Sequence, residues 1–202
     1  MLGQFHNGHL DLSTLEKNAK AIEQQVARIS TIIQQLLAHS NSAVPSSGLF
    51  SVNQLVEKVL DYLSSTLQHE KIEVQLSLQE NLPLLSGYSD QLEQVIIHLF
   101  LNSIDAMHGK ENGVLQISTS ERDSNVELKV IDNGCGIPQE NLTKIFDPFF
   151  TTKEFGSGTG LGLSAVSSIV KSHGGKINVN SRPASGTTFA VSLPAAVETA
   201  QN

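Results

Sequence analysis

The chain has 202 residues, 39% of them hydrophobic, which is enough for one domain with a buried core and a smaller appendage. A formal charge of −7 and the lack of any Lys/Arg cluster exclude a generic nucleic-acid binder. The apolar stretch from Val95 to Leu101 is broken by His98 and falls far short of the roughly 20 residues a bilayer span needs, and the single cysteine, Cys135, excludes an internal disulfide and a multi-cysteine metal site.

Residues 13 to 40 carry the clearest helical pattern. Leu15, Ala19, Ile22, Val26, Ile29, Ile33 and Leu36 step alternately by four and three with polar residues between them, which is a heptad seam. Ser13, with Glu16 three residues on, reads as a capping box that sets the start. A lone helix cannot bury such a stripe, so a partner helix is expected, in this chain or a second copy, and a homodimer through this helix is the economical expectation. HSNSAVPSSG at 39 to 48 then breaks the pattern as a linker.

Val52 to Leu67 reads as an amphipathic helix, Lys71 to Leu78 as an alternating strand, and Asp90 to Met107 as a long helix with a broad apolar face. Val114 to Thr119 and Val126 to Ile131 alternate as strands, the second running directly into Asp132. A helix from about Leu161 to Ser172 ends at Gly174 and Gly175. Lys176 to Val179 and Thr187 to Leu193 close the pattern as a strand pair, and the tail after Pro194 is small and polar. The expected fold is α+β: a two-layer α/β sandwich of one mixed sheet with helices on one face, preceded by the long N-terminal helix. The pattern does not order the strands.

The chemistry-bearing segments follow one another in sequence. DNGCGIP at 132 to 138 and GSGTGLGLS at 156 to 164 enclose KIFDPFFTTK at 144 to 153, and all three come after DQLEQVIIHLFLNSIDAM at 90 to 107. A nucleotide needs a carboxylate for its adenine amine, neutral oxygens for Mg²⁺, and glycine backbone that approaches phosphate without a Cβ. All three are present. Gly156, Gly158, Gly160 and Gly162, with Thr159 and Leu161 between them, mark a flexible lid opening a helix whose N-terminal amides point at phosphate. No GKS or GKT follows, which excludes a Walker loop, and no strand runs straight into it, which excludes a dinucleotide fingerprint. Cys135, between two glycines, reads as a small residue filling a tight turn.

Taken together, the four segments resemble the catalytic and ATP-binding domain of sensor histidine kinases, part of the wider ATPase group that includes gyrase, Hsp90 and mismatch-repair ATPases. The resemblance covers about 50 to 194, and DPFFTTK followed by GTGLGLS is most similar to kinases of the nitrogen-regulation and dicarboxylate-sensing type. It implies that Asn102, in HLFLNSIDA, lends its amide oxygen to a Mg²⁺ bridging the triphosphate. Asp132 would accept a hydrogen bond from the adenine amine, a place where guanine presents a carbonyl that the carboxylate repels. Gly134 and Gly136 would turn the backbone against the base, and Thr187, in GTTF, would reach adenine through a water. Phe146, Phe149 and Phe150 would fix the lid, Phe146 and Phe150 among the nucleotide-binding residues, and Lys153 is the cation placed for the γ-phosphate, with Lys110 a weaker candidate.

Plainer readings stand beside these. Asn102 would cap a neighbouring turn, Asp132 would belong to an ordinary Asp-Asn-Gly turn, the phenylalanines would form a plug, and Lys153 would be solvated. His98, four residues before Asn102 on the same helical face, departs from the Asn usual in the family. Imidazole binds phosphate, orients water or serves as a base near neutral pH; a satisfied pocket-wall histidine is the alternative.

The helix at 13 to 40 resembles the second helix of the kinase dimerisation hairpin. The first helix of that hairpin normally carries an acceptor histidine followed by an acidic residue and a proline, and neither His6 nor His9 begins such a box. The expected organisation is therefore 1–44 as a partial dimerisation helix, 45–194 as the ATP-binding catalytic domain, and 195–202 as a tail. His39, His69, His108 and His173 have no ligand spacing and read as surface or helix-end residues.

The resemblance implies an ATP-binding histidine kinase core, using ATP and Mg²⁺, that transfers the γ-phosphoryl group to a histidine outside this chain for relay to an aspartate of a response regulator receiver domain. Catalysis would rest on positioning and charge neutralisation. Two alternatives stay open: a dimeric ATP-sensing scaffold that transfers nothing, and a hydrolase of the gyrase or Hsp90 type, which is disfavoured because those enzymes place a catalytic glutamate where this chain has His98. No nucleic-acid partner is expected. The chain is expected to be cytoplasmic, with membrane attachment only through segments upstream of it in a parent protein anchored in the inner membrane.

Overall fold

The computed structural model describes residues 47–153 and 158–196. The chain divides after Pro45, and the second unit, Ser46–Asn202, holds every described residue. The heptad helix expected over 13 to 40 and Gly156 lie outside the described residues.

The elements are β1 (Gly48–Phe50), α1 (Val52–His69), β2 (Ile72–Leu78), β3 (Leu85–Gly87), α2 (Ser89–Ala106), β4 (Gly113–Arg122), β5 (Asn125–Asp132), α3 (Gln139–Leu142), α4 (Gly162–Ser172), β6 (Lys176–Arg182) and β7 (Gly186–Pro194). Five strands form one sheet in the order β2-β4-β5-β7-β6. β2 runs parallel to β4 and the other pairs are antiparallel, so the sheet is mixed. β1 and β3 form a separate antiparallel ribbon, which the sequence pattern does not foretell. Ala195 extends it by a bridge to Leu85, and the Ala196 N–H donates to the Leu84 carbonyl at 2.8 Å. The one-turn helix α3 is likewise unforeseen.

Period-two alternation decides which side chains the sheet buries. On β5, Val126, Leu128 and Val130 are buried, and Asp132 stands in the same phase. On β7, Thr187, Phe189, Val191 and Leu193 form the matching inner row. The turn from β4 to β5 has two residues, Asp123 and Ser124, with φ of 52° and 59°, the left-handed backbone that a tight hairpin demands.

The helices cover one face of the sheet as a layer, with α2 packed against both α1 and α4. That position explains the broad apolar face of α2, where Leu92, Val95, Ile96, Leu99, Phe100 and Ile104 are all buried. Burying a side chain such as Phe100 contributes about 1.5–3 kcal/mol over leaving it in water. Among the described residues, no helix is long and apolar enough to cross a membrane.

Candidate functional site

Asp132 ends β5 with its carboxylate turned to the helix side and buried. Oδ1 accepts from the Gly134 N–H at 2.8 Å and the Thr187 N–H at 3.2 Å, and Oδ2 accepts from the Ser103 hydroxyl at 3.3 Å. An ionised carboxylate has about four lone-pair sites, so one remains for an incoming donor. Burial pushes the Asp132 carboxyl above the ordinary carboxylate range, against the opposing pull of the Gly134, Thr187 and Ser103 hydrogen bonds and the positive charge of Lys110.

The backbone around this carboxylate is close-set. Gly186 has φ 90°, and a Cβ there would lie 1.9 Å from the Asp132 carbonyl oxygen. Gly136 has φ 70°, and its Cβ would lie 2.0 Å from the Arg182 carbonyl oxygen. Only glycine fits either position without displacing a neighbouring strand end. Behind them, the Ser181 hydroxyl donates to the Gly186 carbonyl at 2.9 Å, lies 3.0 Å from the Thr187 hydroxyl, and accepts from the Ile137 N–H at 2.8 Å. The Cys135 N–H donates to the Ala106 carbonyl at 2.9 Å and the Cys135 carbonyl accepts from the Ala184 N–H at 2.7 Å, so this exposed cysteine ties the loop to the end of α2 through its backbone.

Ser103 draws α2 to Asp132, and Asn102 is its neighbour on that helix. Asn102 is half-buried, and no side chain or backbone group among the described residues takes its amide. A neutral amide oxygen free of protein partners suits Mg²⁺, which takes most of its remaining shell from phosphate and water. His98, one turn earlier, is buried, and a Cβ on Gly162 would lie 3.4 Å from its Nδ1, so the imidazole forms the wall between α2 and the start of α4. The Lys153 ammonium pairs with the Asp105 carboxylate, one turn beyond Asn102. The Lys110 ammonium donates to the Asn133 carbonyl.

The phenylalanine segment divides. Phe146 and Phe150 pack on the core, whereas Phe149 is 75% exposed with φ 68°, so the three-residue plug expected from the sequence is a two-residue one. The Phe149 N–H donates to the Gly160 carbonyl at 2.9 Å, and a Cβ on Gly158 would lie 2.4 Å from the Thr151 hydroxyl. The chain on either side of residues 154–157 is thus held together at its base. Thr159 and Leu161 are exposed beside it, and Gly162 opens α4.

Asp132, Gly134, Gly136 and Thr187 meet at the end of β5, Ser103 joins them from α2, and His98 meets Gly162; Asn102 precedes Ser103 on the same helix and makes no hydrogen bond to the Asp132 cluster among the described residues. Lys153 lies toward the Asn102 side of α2 through Asp105. Sequence reasoning missed Ser103 and Ser181, whose hydroxyls have no motif of their own. Ser103 has one available signal, its place beside Asn102 on the polar edge of an apolar helix.

Residues 87–197 match the family described as histidine kinase-, DNA gyrase B-, and HSP90-like ATPase. The chain is 33% identical over 176 residues to the sensor histidine kinase ZraS of Escherichia coli (strain K12), covering 87% of this chain and 37% of ZraS. It is 34% identical over 180 residues to the C4-dicarboxylate transport sensor protein DctB of Rhizobium meliloti (strain 1021), covering 89% of this chain and 28% of DctB. It therefore spans about a third of the length of these curated relatives. Among solved structures, the catalytic domain of histidine kinase ThkA superposes with a TM-score of 0.67 at 32% identity, covering 74% of this chain and 96% of that one. ThkA in complex with response regulator protein TrrA superposes at 0.72 with 29% identity, covering 95% of this chain and 54% of that one.

Proposed function

Because the chain belongs to the histidine kinase-, DNA gyrase B-, and HSP90-like ATPases and carries a catalytic domain of the sensor histidine kinase kind, we propose that it binds Mg-ATP at the Asp132 site and transfers the γ-phosphoryl group to a histidine outside this sequence. Relay to a receiver-domain aspartate follows by analogy with ThkA, whose complex holds a response regulator. Dimerisation through residues 1–44 and a cytoplasmic location complete the reading.

The observation that supports it best is the Ser103–Asp132 hydrogen bond. It fastens a buried carboxylate with one open acceptor site to the helix that carries Asn102, whose amide has no partner among the described residues. Asp132 accepts the adenine exocyclic amine and rejects guanine, whose carbonyl would face the carboxylate. Gly134 and Gly136 let the backbone lie along the base, Thr187 reaches it through a water, and Phe146 and Phe150 hold the lid base dry. The amides of Gly162 and its neighbours at the start of α4 receive phosphate, flanked by Gly158, Thr159, Gly160 and Leu161. Asn102 would hold Mg²⁺, which supplies neutralising charge to the phosphate oxygens. His98 orients the phosphate-side water or contacts phosphate from the wall of α2, and Lys153 leaves Asp105 to meet the γ-phosphate.

The test adds a separate acceptor hairpin to the purified chain with γ-labelled ATP. Label on a hairpin histidine supports the kinase; free phosphate alone assigns a hydrolase, and bound but unreacted nucleotide a sensing scaffold.

A further inference from the structure

His173 follows the last residue of α4, and its ring is held on both nitrogens. Nε2 lies 3.0 Å from the backbone N–H of Tyr88, which donates, and Nδ1 lies 2.9 Å from the carbonyl oxygen of Ile169, which accepts. A neutral imidazole satisfies both only with its proton on Nδ1. The ring fills space that Gly87 leaves open, since a Cβ there would come within 2.3 Å of Cδ2 and 2.7 Å of Nε2. The Tyr88 ring meets it edge-on, with centroids 6.1 Å apart and planes at 89°.

Tyr88 is the N-cap of α2 and provides no side-chain cap itself. The imidazole therefore takes one of the orphan N–H groups at the head of the helix that carries His98 and Asn102. A second contact joins the same two helices at the other end of α4, where Gly162 rests against His98. The spans match. From Tyr88 to His98 α2 advances about 15 Å, and from Gly162 to His173 α4 advances about 16 Å, at 1.5 Å per residue. Two antiparallel helices are thus fastened at both ends of one common length.

We propose that His173 is a positioning residue for the nucleotide site: it sets the lengthwise register of α4 against α2 and so places the phosphate-facing start of α4 beside His98 and Asn102. The inference rests on the Mg-ATP reading above. It assigns a role to a backbone N–H and an imidazole that lie at the far end of α4 from the site they control. Losing the clasp lets α4 slide or tilt, and the phosphate end of the ligand feels this while the adenine end, held by β5 and β7, does not.

The test uses the full chain as wild type, His173→Leu and His173→Gln, with calorimetric titration of Mg-ATP and of adenosine. Leu fills the volume without either hydrogen bond. Gln keeps one donor and one acceptor on a planar group. The expected result is an affinity for Mg-ATP weakened about five- to tenfold in His173→Leu, adenosine affinity within about twofold of wild type, and recovery in His173→Gln. Unchanged Mg-ATP affinity in His173→Leu, or equal losses for both ligands, overturns the proposal. Should His173→Leu not fold, ring-nitrogen NMR of the wild type decides: a dominant Nδ1–H tautomer supports the clasp and a dominant Nε2–H tautomer overturns it. A wild type that binds neither ligand sinks the nucleotide reading itself, and the inference with it.

Discussion

Asp132 and Thr187 face each other across β5 and β7, and the Thr187 backbone N–H donates to Asp132 Oδ1 at 3.2 Å. With the Gly134 N–H at 2.8 Å on the same oxygen, Oδ1 is fully used by the protein. Among the described residues, Oδ2 holds only the Ser103 hydroxyl, at 3.3 Å. The two oxygens therefore differ: one is fixed to the sheet, and the other is the one that the proposed adenine contact would use.

Asp132→Asn tells the two apart. The amide oxygen keeps the Gly134 and Thr187 bonds, while an NH₂ group replaces Oδ2 and, under the proposed adenine contact, would oppose the adenine amine, donor against donor. Mg-ATP affinity falls about 10- to 100-fold, the range for losing a hydrogen bond to a charged group, and the melting temperature holds or rises. Calorimetry and thermal unfolding measure the two; wild-type affinity in the variant contradicts the adenine role.

The raised pKa of Asp132 has a stability consequence whose sign is fixed. Burial pushes the folded-state pKa above the unfolded one, so between the two values the folded protein holds the extra proton. Stability from this group is complete below the unfolded value and is lost as pH climbs through the folded one. The difference in unfolding free energy between wild type and Asp132→Asn therefore shifts against the wild type as pH rises from about 4 upward, and levels off once Asp132 is ionised in both states. Denaturant titrations at stepped pH read that difference. An opposite slope would mean that the hydrogen bonds outweigh burial.

Period-two alternation made the inner face of β5 and β7 legible, and with it the side on which Asp132 and Thr187 stand. The motif order made the nucleotide chemistry legible. The rest depended on contacts that sequence spacing does not carry. The parallel pairing of β2 with β4 joins strands 41 positions apart in register, as at Ile72 and Gly113, and β1 and β3 have three residues each, too short to show a period. His173 was legible only as a helix end because its partner is a backbone N–H 85 residues away. Lys153 reads as a free cation in sequence but meets Asp105, which nothing local announces.

Gly186 tests the backbone side of the site. Ala at this position faces both a φ of 90° and the Asp132 carbonyl oxygen at 1.9 Å from its Cβ. Strain of this kind costs roughly 2 kcal/mol or more, which lowers the melting temperature by roughly 4–8 °C in a domain of this size. The same replacement at Gly48, which has no neighbour within 4 Å of a Cβ and no positive φ, serves as the control and shifts it little.

Asn102→Ala removes the amide oxygen without touching the Asp132 cluster, since Ser103 makes that link. The expected outcome is a loss of the affinity that Mg²⁺ adds: ATP binding in Mg²⁺ falls toward the value in chelator, while adenosine binding stays at wild type. Parallel titrations with and without Mg²⁺ check this. A variant that keeps the full Mg²⁺ enhancement assigns the ion to other ligands and leaves Asn102 a structural residue.

Lys153 offers the last discrimination, because its present partner is a competitor for its proposed one. Its ammonium pairs with Asp105 on the exposed end of α2, with the two side chains 40% and 54% exposed. An exposed pair of this kind is weak and screened by salt, so a phosphate carrying more charge would compete with Asp105 for the lysine. If it does so, Asp105→Asn frees the cation and tightens ATP about two- to threefold relative to ADP. Lys153→Ala then weakens ATP while sparing ADP, and slows label transfer to an added acceptor hairpin. The double variant behaves like Lys153→Ala alone, because Asp105 acts only by holding the lysine. Independent, additive effects of the two substitutions would show that Asp105 has its own part at the site and that Lys153 does not move between partners.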